Sequence, residues 1–131
     1  MTKEDKELLL KDLCGRLPYG IKVTWDGKHP LTVTPHIYCA IANEDNINNL
    51  PKLLLRPLSS MTESERKEFD NLSKFDEDVW MGNHKVGFPK NVRIMSKCVD
   101  WLNKNMFDFR GLIPKNLAIE VTKENNPYEN I

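Results

Sequence analysis

The sequence is short of nearly everything that would announce a chemistry. Its 131 residues include six scattered glycines and three histidines, so no glycine-rich phosphate loop is present. No apolar stretch approaches the ~20 residues needed to cross a bilayer. Cys14, Cys39 and Cys98 are odd in number, widely separated and set among apolar neighbours. A disulfide scaffold would carry a dense, even set, so these are expected to be buried, reduced thiols. Charge of one sign is also lacking: 19 basic side chains face 19 acidic ones. That removes the overall basic excess of a dedicated nucleic-acid binder.

What is present describes an ordinary globular chain. The 40% hydrophobic and 29% charged content suits one core-forming domain, expected over residues 1–122 with a frayed tail at 123–131. Five charges precede the first leucine, and Leu8-Leu9-Leu10 is too short for the apolar core of a signal peptide, so a cytoplasmic location without membrane contact is expected.

Hydrophobic periodicity predicts an α+β fold: a small antiparallel sheet of three to five strands packed by an N-terminal helix and two further helices. Residues 2–17 read as a helix capped by Thr2, with Leu9, Leu10, Leu13, Cys14 and Leu17 on its apolar arc and Asp5, Asp12 and Arg16 outside it. Ile21, Val23 and Trp25 then alternate with polar residues up to the turn at Asp26-Gly27-Lys28. Leu31 with Val33, and Ile37 with Cys39 and Ile41, continue the period of two as further strands. Leu53-Leu54-Leu55 predicts another strand, at an edge or ending at Pro57. Thr62 and Glu65 form a capping box for a helix at about 63–74 with Phe69 and Leu72 on a thin apolar stripe. Residues 76–90 read as a long loop. A third helix at about 90–106 is apolar over half its surface and is expected to be the central, most buried one. Leu117, Ile119 and Val121 suggest a last short strand.

Three stretches together, LLLKDLCGRLPYGIKV, LLLRPLSSMTESERKEF and VDWLNKNMFDFRGLIPKNLAIE, resemble a family of short uncharacterised proteins encoded by gut anaerobic bacteria, often in prophage or other mobile-element surroundings. The resemblance covers the start of the chain and residues 53–69 and 99–120. It implies a bacterial cytoplasm and an accessory role tied to phage or mobile elements, and it brings no activity, cofactor or site residue.

Catalytic spacing is missing. His36 and Cys39 are the nearest metal-type pair, but in a strand a three-residue offset puts them on opposite faces, and His29 and His84 are isolated; no metal or cofactor is expected. Ser59-Ser60 lacks the glycine-flanked elbow of a hydrolase and suits a turn or cap. Asp76-Glu77-Asp78 lacks calcium-loop spacing and suits a solvated helix end.

Two surfaces remain. Aromatics in or beside irregular segments, Trp80, Phe88, Phe107 and Phe109, with Arg110, are candidate anchors for a protein partner. The charge balance also hides local excesses, a net of −4 over residues 44–78 and +5 over 85–115. Lys90, Arg93, Lys97 and Lys104 fall on one face of the third helix, with Asp100 beside them, and form a candidate phosphate-contacting stripe. The expectation is therefore a non-enzymatic protein-binding accessory, monomeric or weakly self-associating. Nucleic-acid binding is the alternative, and a small-molecule enzyme stands third.

Overall fold

Thr2 starts the first helix, α1 (Lys3–Arg16), as a reciprocal capping box: its hydroxyl accepts the Asp5 N–H, and the Asp5 carboxylate accepts the Thr2 N–H. The computed structural model describes residues 2–73, 80–81, 84–85 and 87–128; of 73, 80–81, 84–85 and 87–93 only the backbone is described.

Four strands, β1 (Lys22–Thr24), β2 (Leu31–Thr32), β3 (Lys52–Leu55) and β6 (Ala118–Glu120), form a sheet in the order β2-β1-β3-β6. The α+β class holds, but the sheet is mixed: β1 is antiparallel to β2 and β3, whereas β6 runs parallel to β3. A parallel neighbour requires a crossover, and α3 (Glu63–Ser73) with α4 (Gly87–Lys104) supplies it. The leucine strand ends just before Arg56-Pro57, one of the two expected arrangements, and lies inside the sheet rather than at an edge, which explains why Leu53, Leu54 and Leu55 are all buried.

The predicted strand at Ile37, Cys39 and Ile41 is instead a helix, α2 (Pro35–Ala42). Thr34 caps it by accepting the Ile37 N–H, and Pro35 occupies the first turn, where a missing N–H is harmless. Ile41 faces the core with Ile37 and Tyr38 against it, a helical i, i+1, i+4 stripe that also satisfies a period of two over five residues. Within the expected 76–90 loop the backbone forms a short hairpin, β4 (Trp80–Met81) against β5 (His84–Lys85), and α4 begins at Gly87.

The core packs α1, the inner sheet face and the segment after α4. It centres on Leu9, Leu13, Ile21, Val23, Leu53, Leu55, Met106 and Leu112. A satellite cluster joins Trp101, Leu102 and Phe107 to Phe69 and Leu72 of α3. Among the described side chains α4 is not the most buried helix: Met95 is 65% exposed, and burial is concentrated at Trp101, Leu102 and Asn103. The thiols also differ from expectation, Cys14 and Cys39 being exposed and Cys98 half-buried. The tail does not fray from residue 123, since Tyr128 is buried in the core.

Candidate functional site: the groove beside Trp25

In the segment after α4, expected to offer aromatic anchors, Phe107 is built into the interior, whereas Phe109 and Arg110 are half-buried. Phe107 is fully buried, stacked on Trp101 with ring centroids 5.6 Å apart and covered by the Arg56 guanidinium at 4.2 Å. It is therefore a core residue and no surface anchor. Phe109 is half-buried between Arg16, 5.5 Å from its ring centre, and Arg110 at 4.5 Å.

Arg110 also binds the buried Asp12 carboxylate at 3.0 Å. That carboxylate pairs at 2.8 Å with Arg16, and both side chains have no solvent exposure. Arg16 donates in turn to the Phe107 carbonyl at 2.6 Å and to the Leu102 carbonyl at 3.5 Å, near the C-terminal end of α4. Asp12 and Arg16, expected on the outer face of α1, thus form a satisfied internal network. Asp108, also buried, separately accepts the Leu112 and Ile113 N–H groups at 2.8 and 2.9 Å. These residues hold the fold and leave little for a ligand.

Of the basic stripe, Lys97 and Lys104 are exposed on α4, with exposed Asp100 between them. The side chains of Trp80, Phe88, Lys90 and Arg93 lie outside the described residues. Among the described residues no group of three or more His, Cys, Asp or Glu side chains is placed to hold a metal ion, and no helix is long and apolar enough to cross a membrane.

The clefts lie elsewhere, around the outer face of the sheet, where Thr24 and Leu54 are themselves buried. Strand alternation sends Val23 and Leu53 inward and leaves Thr24, Lys52, Leu54 and Ile119 on the other face, where the register pairs Thr24 with Lys52 and Leu54 with Ile119. Among the described residues, three clefts lie on or beside this face. One of about 310 Å³ lies between the β1–β2 turn and the tail, lined by Thr24, Gly27, Leu54, Glu124 and Pro127. The next, about 320 Å³, is lined by Thr24, Trp25, Gly27, Asn48, Lys52 and Ile119. The third, about 230 Å³, is lined by Asp5, Asn48, Lys52, Lys115 and Asn116. Thr24 and Gly27 line both of the first two, and Asn48, Leu50 and Lys52 line both of the last two, so neighbouring clefts share walls.

The groove is organised by a tight turn. Asp26 accepts the Lys28 and His29 N–H groups and the His29 ring N–H, while Gly27, at φ 78°, donates to the Thr24 hydroxyl. The hydrogen bond to His29, followed by the two backbone N–H groups, holds the Asp26 carboxyl well below the usual carboxylate range. The same contact raises the His29 imidazole above its ordinary value.

Trp25 precedes this turn. The alternation with Ile21 and Val23 predicts that it points inward, yet it is 52% exposed, because β1 ends at Thr24 and the chain begins to turn. Its indole N–H donates to the Asn49 carbonyl at 2.8 Å, which fixes the ring. The missed signal was its place at the strand end, directly before Asp26-Gly27, where period two no longer applies.

No family model, curated protein or solved structure matches the chain.

Proposed function

We propose that the protein is a non-enzymatic binding module that recognises a protein partner through the groove beside Trp25. The observation that carries this reading is a large aromatic ring, half exposed yet held by its own N–H, in the wall of a cleft of about 320 Å³. A pre-fixed aromatic loses little conformational freedom on contact, and such residues dominate protein interfaces. The surface replaces Phe107, whose ring is spent inside the fold, while Phe109 and Arg110 are only half-buried. An accessory role in a bacterial cytoplasm is supported by the sequence resemblance.

The test is site-specific photo-crosslinking in the producing cell, with a benzophenone amino acid at position 25 or, as the comparison site, at 104. A discrete crosslinked protein from position 25 and none from 104 is expected. Equal or absent crosslinking at the two positions overturns the reading.

Exposed Lys97 and Lys104, seven residues apart and so on one face of α4, favour a second reading, contact with nucleic-acid phosphates. It expects a salt-sensitive mobility shift that is lost in Lys97→Glu/Lys104→Glu; no shift at low salt sinks it.

A further inference from the structure

The sheet lacks one rung between β1 and β3. The Val33 N–H donates to the Ile21 carbonyl, so alternation turns the backbone groups of Ile21 and Val23 toward β2 and those of Lys22 and Thr24 toward β3. The Leu53 N–H donates to the Leu117 carbonyl beside β6, which leaves Leu54 facing β1. Lys22 and Leu54 are thus aimed at each other, yet the ladder stops one pair short, at Val23 with Leu53. The Tyr128 hydroxyl stands between them, accepting the Lys22 N–H at 2.9 Å and donating to the Leu54 carbonyl at 2.8 Å.

We propose that residues 122–128 are a detachable strap: the Tyr128 hydroxyl stands in for one rung of the β1–β3 ladder, and when the tail leaves, Lys22 and Leu54 close that rung themselves. A hydroxyl is donor and acceptor at once, so it can span an N–H and a C=O that are otherwise each other's partners. The Lys22 N–H and the Leu54 carbonyl are therefore satisfied in both arrangements, by the phenol in one and by each other in the second. Release exchanges hydrogen bonds instead of abolishing them, and what it forfeits is the burial of one ring. Two packings of one segment, each internally satisfied, make a two-state element.

The tail is built for this. Its near end is fixed, because the Val121 N–H donates to the Leu55 carbonyl. Beyond that point residues 122–126 are exposed, Pro127 is half-buried, and of residues 122–128 Tyr128 alone is buried. The turn inside the strap is local and can travel with it: Asn125 accepts the Thr122 N–H and donates to the Glu120 carbonyl, and Asn126 accepts the Tyr128 N–H. The strap also walls the cleft of about 310 Å³ through Glu124 and Pro127, with Thr24 and Leu54 on its other sides. Release therefore widens that cleft and bares Leu54, an apolar side chain on the outer face that is now 5% exposed.

The test is NMR on the full-length protein and its Tyr128→Ala variant, reading the scalar coupling across a hydrogen bond between the Lys22 amide nitrogen and the Leu54 carbonyl carbon. The coupling is expected to be absent from the unmodified protein and present in the variant, with the Lys22 amide still protected from exchange. A coupling already present in the unmodified protein, or a variant that folds without one, overturns the proposal and makes Tyr128 a fixed anchor. Nitration of the unmodified protein with tetranitromethane, mapped by peptide mass spectrometry, is the second measurement and decides alone where the variant does not fold. Strap release exposes little surface, so the rate of Tyr128 nitration is expected to stay flat across low urea concentrations. A rate that climbs with urea in step with global unfolding overturns the proposal.

Discussion

At the residue scale, the most consequential side chains are the ones whose polarity misleads. Asp12 and Arg16 sit four apart on α1, a spacing that ordinarily marks a solvent-facing ion pair. Here both are fully buried. The buried arc of α1, set by Leu9, Asp12, Leu13 and Arg16, is rotated by roughly 80° from the leucine-centred arc, at ~100° per residue. The rotation is affordable because each charge meets several partners: Asp12 holds two arginines, and Arg16 adds two carbonyls. Removing one member strands the others. Asp12→Asn should cost about 3–5 kcal/mol of stability, since it leaves the Arg16 guanidinium buried without its counter-charge. Urea denaturation measures it, and a loss under about 1 kcal/mol would mean that water reaches the site. Trp25 is the converse case, an apolar residue that the fold leaves in solvent.

At the scale of elements, capping chemistry decided more than propensity. The Thr62 box was plain in the sequence, and Thr62 and Glu65 exchange both hydrogen bonds. Glu65 does a second task there, binding the Arg56 guanidinium of the β3 end through both oxygens at 2.7 and 2.8 Å and so tying strand to helix. Its pKa is lowered from 4.5 to about 2, chiefly by that contact. A lowered carboxyl contributes stability above its unfolded value and loses it as pH falls from 4.5 through 2. Over that window the chain should lose about 2–3 kcal/mol from this group, read by thermal melts at stepped pH, and Glu65→Gln should flatten the loss. An unchanged acid slope in the variant would assign the effect elsewhere. The same attention to caps would have found α2, where Thr34 followed by Pro35 is a helix-start signal. The alternation of Ile37, Cys39 and Ile41 concealed it, because five residues are too few to separate a period of two from 3.6.

At the scale of the whole molecule, the tail binds the sheet together. Extending the β1–β3 register one pair would set Lys22 opposite Leu54. The Tyr128 hydroxyl occupies that place, accepting the Lys22 N–H at 2.9 Å and donating to the Leu54 carbonyl at 2.8 Å. Burial raises the Tyr128 phenol far above its ordinary 10. A raised acid contributes stability that is complete below its unfolded value and lost as pH climbs above 10. Tyr128→Phe should cost about 1–3 kcal/mol at neutral pH by orphaning two backbone groups, and it should shallow the alkaline loss seen in stepped-pH melts. Tyr38, also raised through its contact with Cys14, keeps part of that alkaline limb in the variant. An identical alkaline limb in both proteins would show the hydroxyl to be solvated.

The sequence by itself determined the α+β class, the boundaries of α1 and α3 and the β1–β2 turn. Each depends on neighbours within a few residues: a cap with the residue three on, an Asp-Gly turn, a repeating apolar period. Tertiary structure alone decided the rest. The parallel β3–β6 pairing, the interior place of β3, the burial of Asp12, Arg16 and Phe107, the anchoring of Tyr128 and the groove around Trp25 all join segments far apart in the chain. Whether a charge is buried depends on the partners brought to it, and whether an aromatic is exposed depends on what fails to cover it. Local periodicity carries neither fact.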